Sequence, residues 1–168
     1  MSFFSYRMVQ DAYEKLTDED GKKPKPGDLI EVKCGVYKHW IVYIGEDNVV
    51  HFGGIGSGSG LGIIPTPGMK GTIKKEKLKD VVKDGKWKIN NFLDQKYQPR
   101  KDDDIVKEAC ARVGSSLTYD VLGYNCEHFA TELRYGKPEC RQVKEAKLDF
   151  FMILAGVTAV AVGIFLKK

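Results

Sequence analysis

No C-x-x-C pair occurs in the 168 residues, and the four cysteines, Cys34, Cys110, Cys126 and Cys140, are scattered. That spacing argues against a zinc ribbon or a thioredoxin-type redox motif. The opening MSFFSYRMVQDAYEKL lacks an apolar run followed by a small-residue cleavage site, so it does not read as a secretory signal. Reduced thiols in a cytosolic setting are therefore expected. The glycine-dense GGIGSGSGLGIIPTPG lacks the Gly-Lys-Ser/Thr ending of a phosphate-binding loop and opens no obvious helix, so it reads as a connector. The excess of one charge sign over the other is also small. Lys and Arg number 27 against 23 Asp and Glu, a net charge of +4. Such a balance permits attraction to an anionic membrane but does not indicate nucleic acid, which calls for a denser basic stripe.

What is present suffices for one globular domain and little more, with 42% hydrophobic and 30% charged residues. Residues 3–16 place Phe4, Met8, Val9, Ala12, Tyr13 and Leu16 at helical spacing opposite Arg7, Asp11, Glu14 and Lys15, an amphipathic helix. The turn-rich DEDGKKPKPG follows. From Asp28 the period becomes that of strands: DLIEVK, HWIVYIG and NVVHFG are short β-branched and aromatic runs separated by turn residues, and GTIKKEKLKDVV and KWKIN read as further strands. DDDIVKEACARVG carries the acidic start and glycine stop of a helix, and KPECRQVKEAKL reads as a short one. The last segment, residues 150–166, is uncharged and is followed by Lys167 and Lys168. As a helix it would span roughly 26 Å, near the thickness of a thin hydrocarbon core. It is expected to be a C-terminal transmembrane helix that leaves the domain on the cytoplasmic face of an intracellular membrane, with a buried core helix as the alternative. The fold class expected is α+β, a small antiparallel sheet with packed helices and this terminal span. The expected division is 1–23 for helix and linker, 24–147 for the domain and 148–168 for the anchor.

The stretch GYNCEHFATELRYG, residues 123–136, raises the question of chemistry. Asn125 is a good N-cap, which places Cys126 at the first helical position. There the backbone N–H groups and the positive end of the helix dipole are expected to favour the thiolate. A nucleophilic cysteine also needs a base, and the chain holds three histidines. His128 points about 200° round the helix from Cys126 and is a poor partner. His39 and His51 lie on consecutive strands joined by a short loop, which can bring both rings to one face. One imidazole can then act as base while the other sets its tautomer. On spacing alone, two histidines on aromatic-rich strands are more often core residues than catalytic ones.

Several motifs together resemble a known family. NCEHF followed by LRYG is similar to the signature of the lecithin:retinol acyltransferase family. PKPGDLIEV, YKHWIVYIG, VVH and KINNFLDQKYQP resemble its phospholipase A/acyltransferase (H-Ras-like suppressor) branch, over roughly residues 24–147 and on into the apolar tail. The resemblance implies a circularly permuted relative of NlpC-type and papain-like thiol hydrolases. It implies Cys126 as nucleophile and acyl-thioester carrier, His39 as general base and acid, and His51 as the residue that orients His39. The Cys126 backbone N–H and Tyr37 are the implied oxyanion donors. It further implies a calcium-independent phospholipase A and acyltransferase with no cofactor and no metal. Its substrates would be glycerophospholipids such as phosphatidylcholine and phosphatidylethanolamine, and the acyl chain would pass to water, to an amine or to a lysophospholipid. A thiol peptidase or amidase, and a non-catalytic tail-anchored interaction or membrane-remodelling module, are the competing expectations.

Overall fold

Two registers of alternation run through the central strands, and both sets of side chains are buried. The computed structural model describes residues 17–35, 37–54, 68, 70–120, 123–145, 147–149 and 151–152. The expected helix over residues 3–16 and nearly all of the glycine-dense connector lie outside them. The strands are β1 (Leu29–Cys34), β2 (Tyr37–Gly45), β3 (Asn48–Gly54), β4 (Lys70–Lys77), β5 (Trp87–Ile89) and β6 (Ser116–Thr118), with helices α1 (Leu78–Val82), α2 (Asp102–Arg112) and α3 (Cys126–Tyr135). All neighbours pair antiparallel, in the order β5-β1-β2-β3-β4-β6.

Period-two alternation sends Trp40 and Val42 of β2 to one face and Ile41 to the other. On the first face, Trp40, Val42, Val50, Phe52 and Ile73 pack with Phe129, Ala130 and Leu133 of α3. Each fully buried large side chain contributes roughly 1.5–3 kcal/mol. On the second, Ile30, Val32, Ile41 and Val49 pack with Leu78, Val81 and Val82 of α1. The β2–β3 hairpin turns through Glu46 and Asp47, whose φ values of 50° and 59° are both left-handed, as a two-residue turn matched to strand twist requires. The Asn48 amide donates to the Gly45 and Glu46 carbonyls and closes the turn.

Three expectations are corrected. GTIKKEKLKDVV is not one strand: β4 stops at Lys77, and Leu78, Val81 and Val82 bury themselves at helical spacing as α1. The short β6, beside β4, was not foreseen, since all three of its residues are exposed and carry no alternation. Finally, no helix among the described residues is long and apolar enough to cross a membrane. That overturns the C-terminal transmembrane helix, and with it the single-pass placement on the cytoplasmic face of a membrane. Residues 141–145 and 147–149, which precede the expected span, are helical and carry Arg141, Lys144, Glu145, Lys147 and Asp149, too much charge to form part of a membrane-crossing helix. Of the expected span 150–166, only residues 151 and 152 are among those described; residue 150 and residues 153–166 lie outside them.

Candidate active site

The Asn125 side chain accepts from the backbone N–H of Glu127 at 2.9 Å and of His128 at 3.2 Å. The His128 ring Nδ1 accepts from the Asn125 N–H at 3.3 Å, completing a reciprocal cap. His128 is thus a capping residue, and Cys126 is the first residue of α3. Gly136 ends the helix at φ 69°, a conformation that costs glycine nothing.

Why a helix terminus reaches the sheet follows from the strand register. The β2–β3 ladder ends at Ile41/His51. Beyond it β3 continues only beside β4, as far as Gly54/Gly71, and β2 continues only beside β1, as far as Cys34/Tyr37. The β2 edge from Tyr37 to Trp40 is therefore open where β3 has turned away. Cys126 Sγ fills that opening, 3.9 Å from the Lys38 carbonyl and beside the Trp40 N–H. The sulfur sits against the backbone on both sides of His39. Further along the same edge the Lys38 N–H donates to Gln142 Oε1 at 3.3 Å. Gln142 Nε2 in turn donates to the fully buried Glu127 carboxylate at 2.9 Å. That carboxylate also accepts the Cys140 thiol at 2.9 Å and the Arg141 N–H at 2.9 Å. The open edge is closed by a thiol and an amide instead of a strand, which ties α3 and the 140–142 segment to β2.

His39 and His51 meet. Ile41 stands opposite His51, so His39, two residues on, shares its face, and His39 Nε2 lies 3.1 Å from His51 Nδ1. The rings are edge to face at 87°, with centroids 5.0 Å apart. His51 Nε2 lies 2.6 Å from Glu76 Oε2 on β4. Burial holds His39 well below the ordinary imidazole range, so it rests neutral. Among the described residues no hydrogen bond joins Cys126 Sγ directly to an imidazole.

Cys126 corrects one expectation. Its thiol is not depressed by the helix terminus: burial pushes it up to about 11, although the Trp40 N–H and the Tyr119 hydroxyl pull the other way. A helix dipole is worth up to ~2 kcal/mol, about 1.5 pH units. Desolvating a thiolate at a site only 2% exposed outweighs that. At rest Cys126 is thus a neutral thiol and His39 a neutral imidazole, and a thiol so held would act as a nucleophile only once a base had removed its proton. Tyr119 Oη stands 3.8 Å from Sγ and against the Cys126 N–H. Tyr37 is 6.4 Å from the His39 ring, centroid to centroid. Burial raises both phenols well above their usual range, so both remain O–H donors.

A lecithin retinol acyltransferase family model matches residues 22–139 of the chain. The chain belongs to this family. Human phospholipase A and acyltransferase 4 is 40% identical over 147 residues, covering 83% of this chain and 88% of that protein. Mouse phospholipase A and acyltransferase 3 is 36% identical over 150 residues, covering 87% and 93%. Rat phospholipase A and acyltransferase 1 is 36% identical over 151 residues, covering 86% and 89%. Much of the family-like pattern in this chain is structural. Arg134 of LRYG forms a two-pronged pair with Asp94 of NNFLDQKYQP at 2.9 and 2.8 Å and donates to the Gly27 carbonyl at 2.8 Å. Tyr135 donates to the same Asp94 at 2.8 Å. The Asn91 side chain bridges the Leu29 N–H and Asp28. These contacts lock α3 to the start of β1 and so set the height of Cys126 above the sheet. Sequence reasoning missed Glu76, Tyr119, Glu127 and Gln142. Glu76 stands 25 residues from His51, and the register that joins them is invisible to a local pattern. Glu127 offered a signal, an acidic residue in a first helical turn, but that reads as a dipole partner.

Proposed function

We propose that this chain is a phospholipase A and acyltransferase that moves a fatty acyl chain from a glycerophospholipid through a thioester on Cys126. Membership of the family and relatives that are named phospholipase A and acyltransferase support the enzyme class. The observation that carries the residue roles is Cys126 Sγ seated against the β2 backbone at His39, whose ring is already held by His51.

In this reading His39 takes the Sγ proton as sulfur attacks the ester carbonyl. The Cys126 N–H and the Tyr37 phenol donate to the oxyanion. Collapse breaks the carbon–oxygen bond, His39 returns the proton to the departing lysophospholipid oxygen, and the acyl group remains as a thioester. Water, activated by His39, then yields free fatty acid. The amine of phosphatidylethanolamine yields an N-acyl phospholipid, and a lysophospholipid hydroxyl yields an O-acyl product. The neutral thiol suits this sequence, because proton transfer and attack proceed without a standing charge in an apolar site. The route calls on no metal or cofactor, so turnover is expected to persist in chelator.

The test is lipid mass spectrometry on vesicles of phosphatidylcholine and phosphatidylethanolamine, comparing full-length protein with Cys126→Ser in the presence of chelator. Lysophospholipid with free fatty acid or N-acyl product, from the unsubstituted protein alone, is expected. Equal output from the two proteins, or loss of turnover in chelator, would overturn the reading.

A further inference from the structure

Glu76 has no part in the proposed thiol chemistry, yet its carboxylate ends a buried chain of polar contacts. It pairs across the ladder with Val49, which places it on the same face as His51. The sequence of contacts is Glu76 Oε2 to His51 Nε2 at 2.6 Å, then His51 Nδ1 to His39 Nε2 at 3.1 Å. His39 and His51 are each 6% exposed, so water competes little for these bonds.

The polarity of such a chain is decided at its end. An ionised carboxylate only accepts, and the hydrogen bond from His51 holds Glu76 below the ordinary carboxylate range. His51 must therefore carry its proton on Nε2. A neutral imidazole has one N–H, so His51 Nδ1 presents a lone pair and must receive the proton of His39 Nε2. A neutral His39 protonated at Nε2 has its lone pair on Nδ1, the one ring nitrogen not engaged with His51. We propose that Glu76 is a positioning residue that fixes the tautomers of both imidazoles and so leaves His39 Nδ1 as the atom that takes the Cys126 proton. The inference rests on the Cys126–His39 reading above. It commits to a neutral His51: a doubly protonated His51 would donate at both nitrogens, turn His39 round and leave Nδ1 protonated. When His39 becomes cationic during turnover, Glu76 stabilises that charge through the same chain, the part a carboxylate plays next to a triad histidine.

Nitrogen-15 spectra of histidine-labelled full-length protein at neutral pH distinguish the two tautomers and the cation, with signals assigned by single substitutions. Both His39 and His51 are expected neutral and protonated at Nε2. Glu76→Ala is expected to scramble the His51 tautomer and lower kcat on phospholipid vesicles about 10- to 100-fold, by analogy with loss of the outer-shell partner of a metal-bound histidine, with KM within about twofold. Glu76→Gln, which still offers an acceptor oxygen, is expected to restore part of both. A cationic His51 in the unsubstituted protein, or unchanged tautomers and kcat in Glu76→Ala, would overturn the proposal. Should Glu76→Ala unfold, the unsubstituted spectrum and Glu76→Gln decide the matter. Full activity in Cys126→Ser would instead defeat the reading of the site while leaving the tautomer result standing.

Discussion

Alkylation of Cys126 as a function of pH tests how the proposed nucleophile would be generated. Cys34→Ser and Cys110→Ser remove the half-buried and exposed thiols, and site-resolved mass spectrometry separates Cys126 from Cys140. A free thiol near pKa ~8.5 is about 10% ionised at pH 7.5. With burial pushing Cys126 up to about 11, its thiolate fraction there is roughly 0.03%, about 300-fold less. A more basic thiolate is intrinsically more nucleophilic, which recovers about 10- to 20-fold. Cys126 should therefore react with iodoacetamide roughly 20-fold more slowly than a free thiol at pH 7.5, before any loss from limited access. Its rate should rise about tenfold per pH unit from pH 7 to 10 without a plateau. A thiolate–imidazolium pair behaves differently, with a flat, fast rate across pH 5–8, and that result would refute the reasoning. The same burial has a consequence for stability. The folded value lies above the unfolded one, so this contribution is complete below pH ~8.5–9 and is lost as pH rises toward 11, about 3 kcal/mol in all.

Asn125→Ala removes the acceptor for two backbone N–H groups and should cost about 1–2 kcal/mol in urea unfolding. It should also lower turnover, because it frees the turn that carries Cys126; unchanged stability would show that the cap bears no load. Arg134→Ala breaks the pair with Asp94, whose side chain is 38% exposed. Roughly 2–4 kcal/mol should be lost, toward the lower part of the range for a buried pair because water reaches one partner. Arg134→Lys should recover less than half of it, since a single ammonium cannot reproduce the two-pronged contact. A lysine variant as stable as the parent would contradict that account.

The legible parts of this protein are the local ones. Alternation marked β1, β2 and β3, the acidic start and glycine stop marked α2, and Asn125 marked the first turn of α3 with Cys126 at its head, because each signal lies within a few residues of what it forms. Alternation also put His39 and His51 at positions that a hairpin turns to one face. Where a local signal competed with burial it failed: Leu78, Val81 and Val82 left the expected strand to form α1, and Cys126 became a protonated thiol although it sits at a helix N-terminus. The tertiary structure alone decided that β3 parts from β2 at His51, opening the edge that Cys126 fills. It alone brought Glu76 to His51, Tyr119 to the sulfur, and Glu127 with Gln142 to the backbone beside His39. Strand register and desolvation are sums over residues far apart in the chain, and no window of sequence contains them.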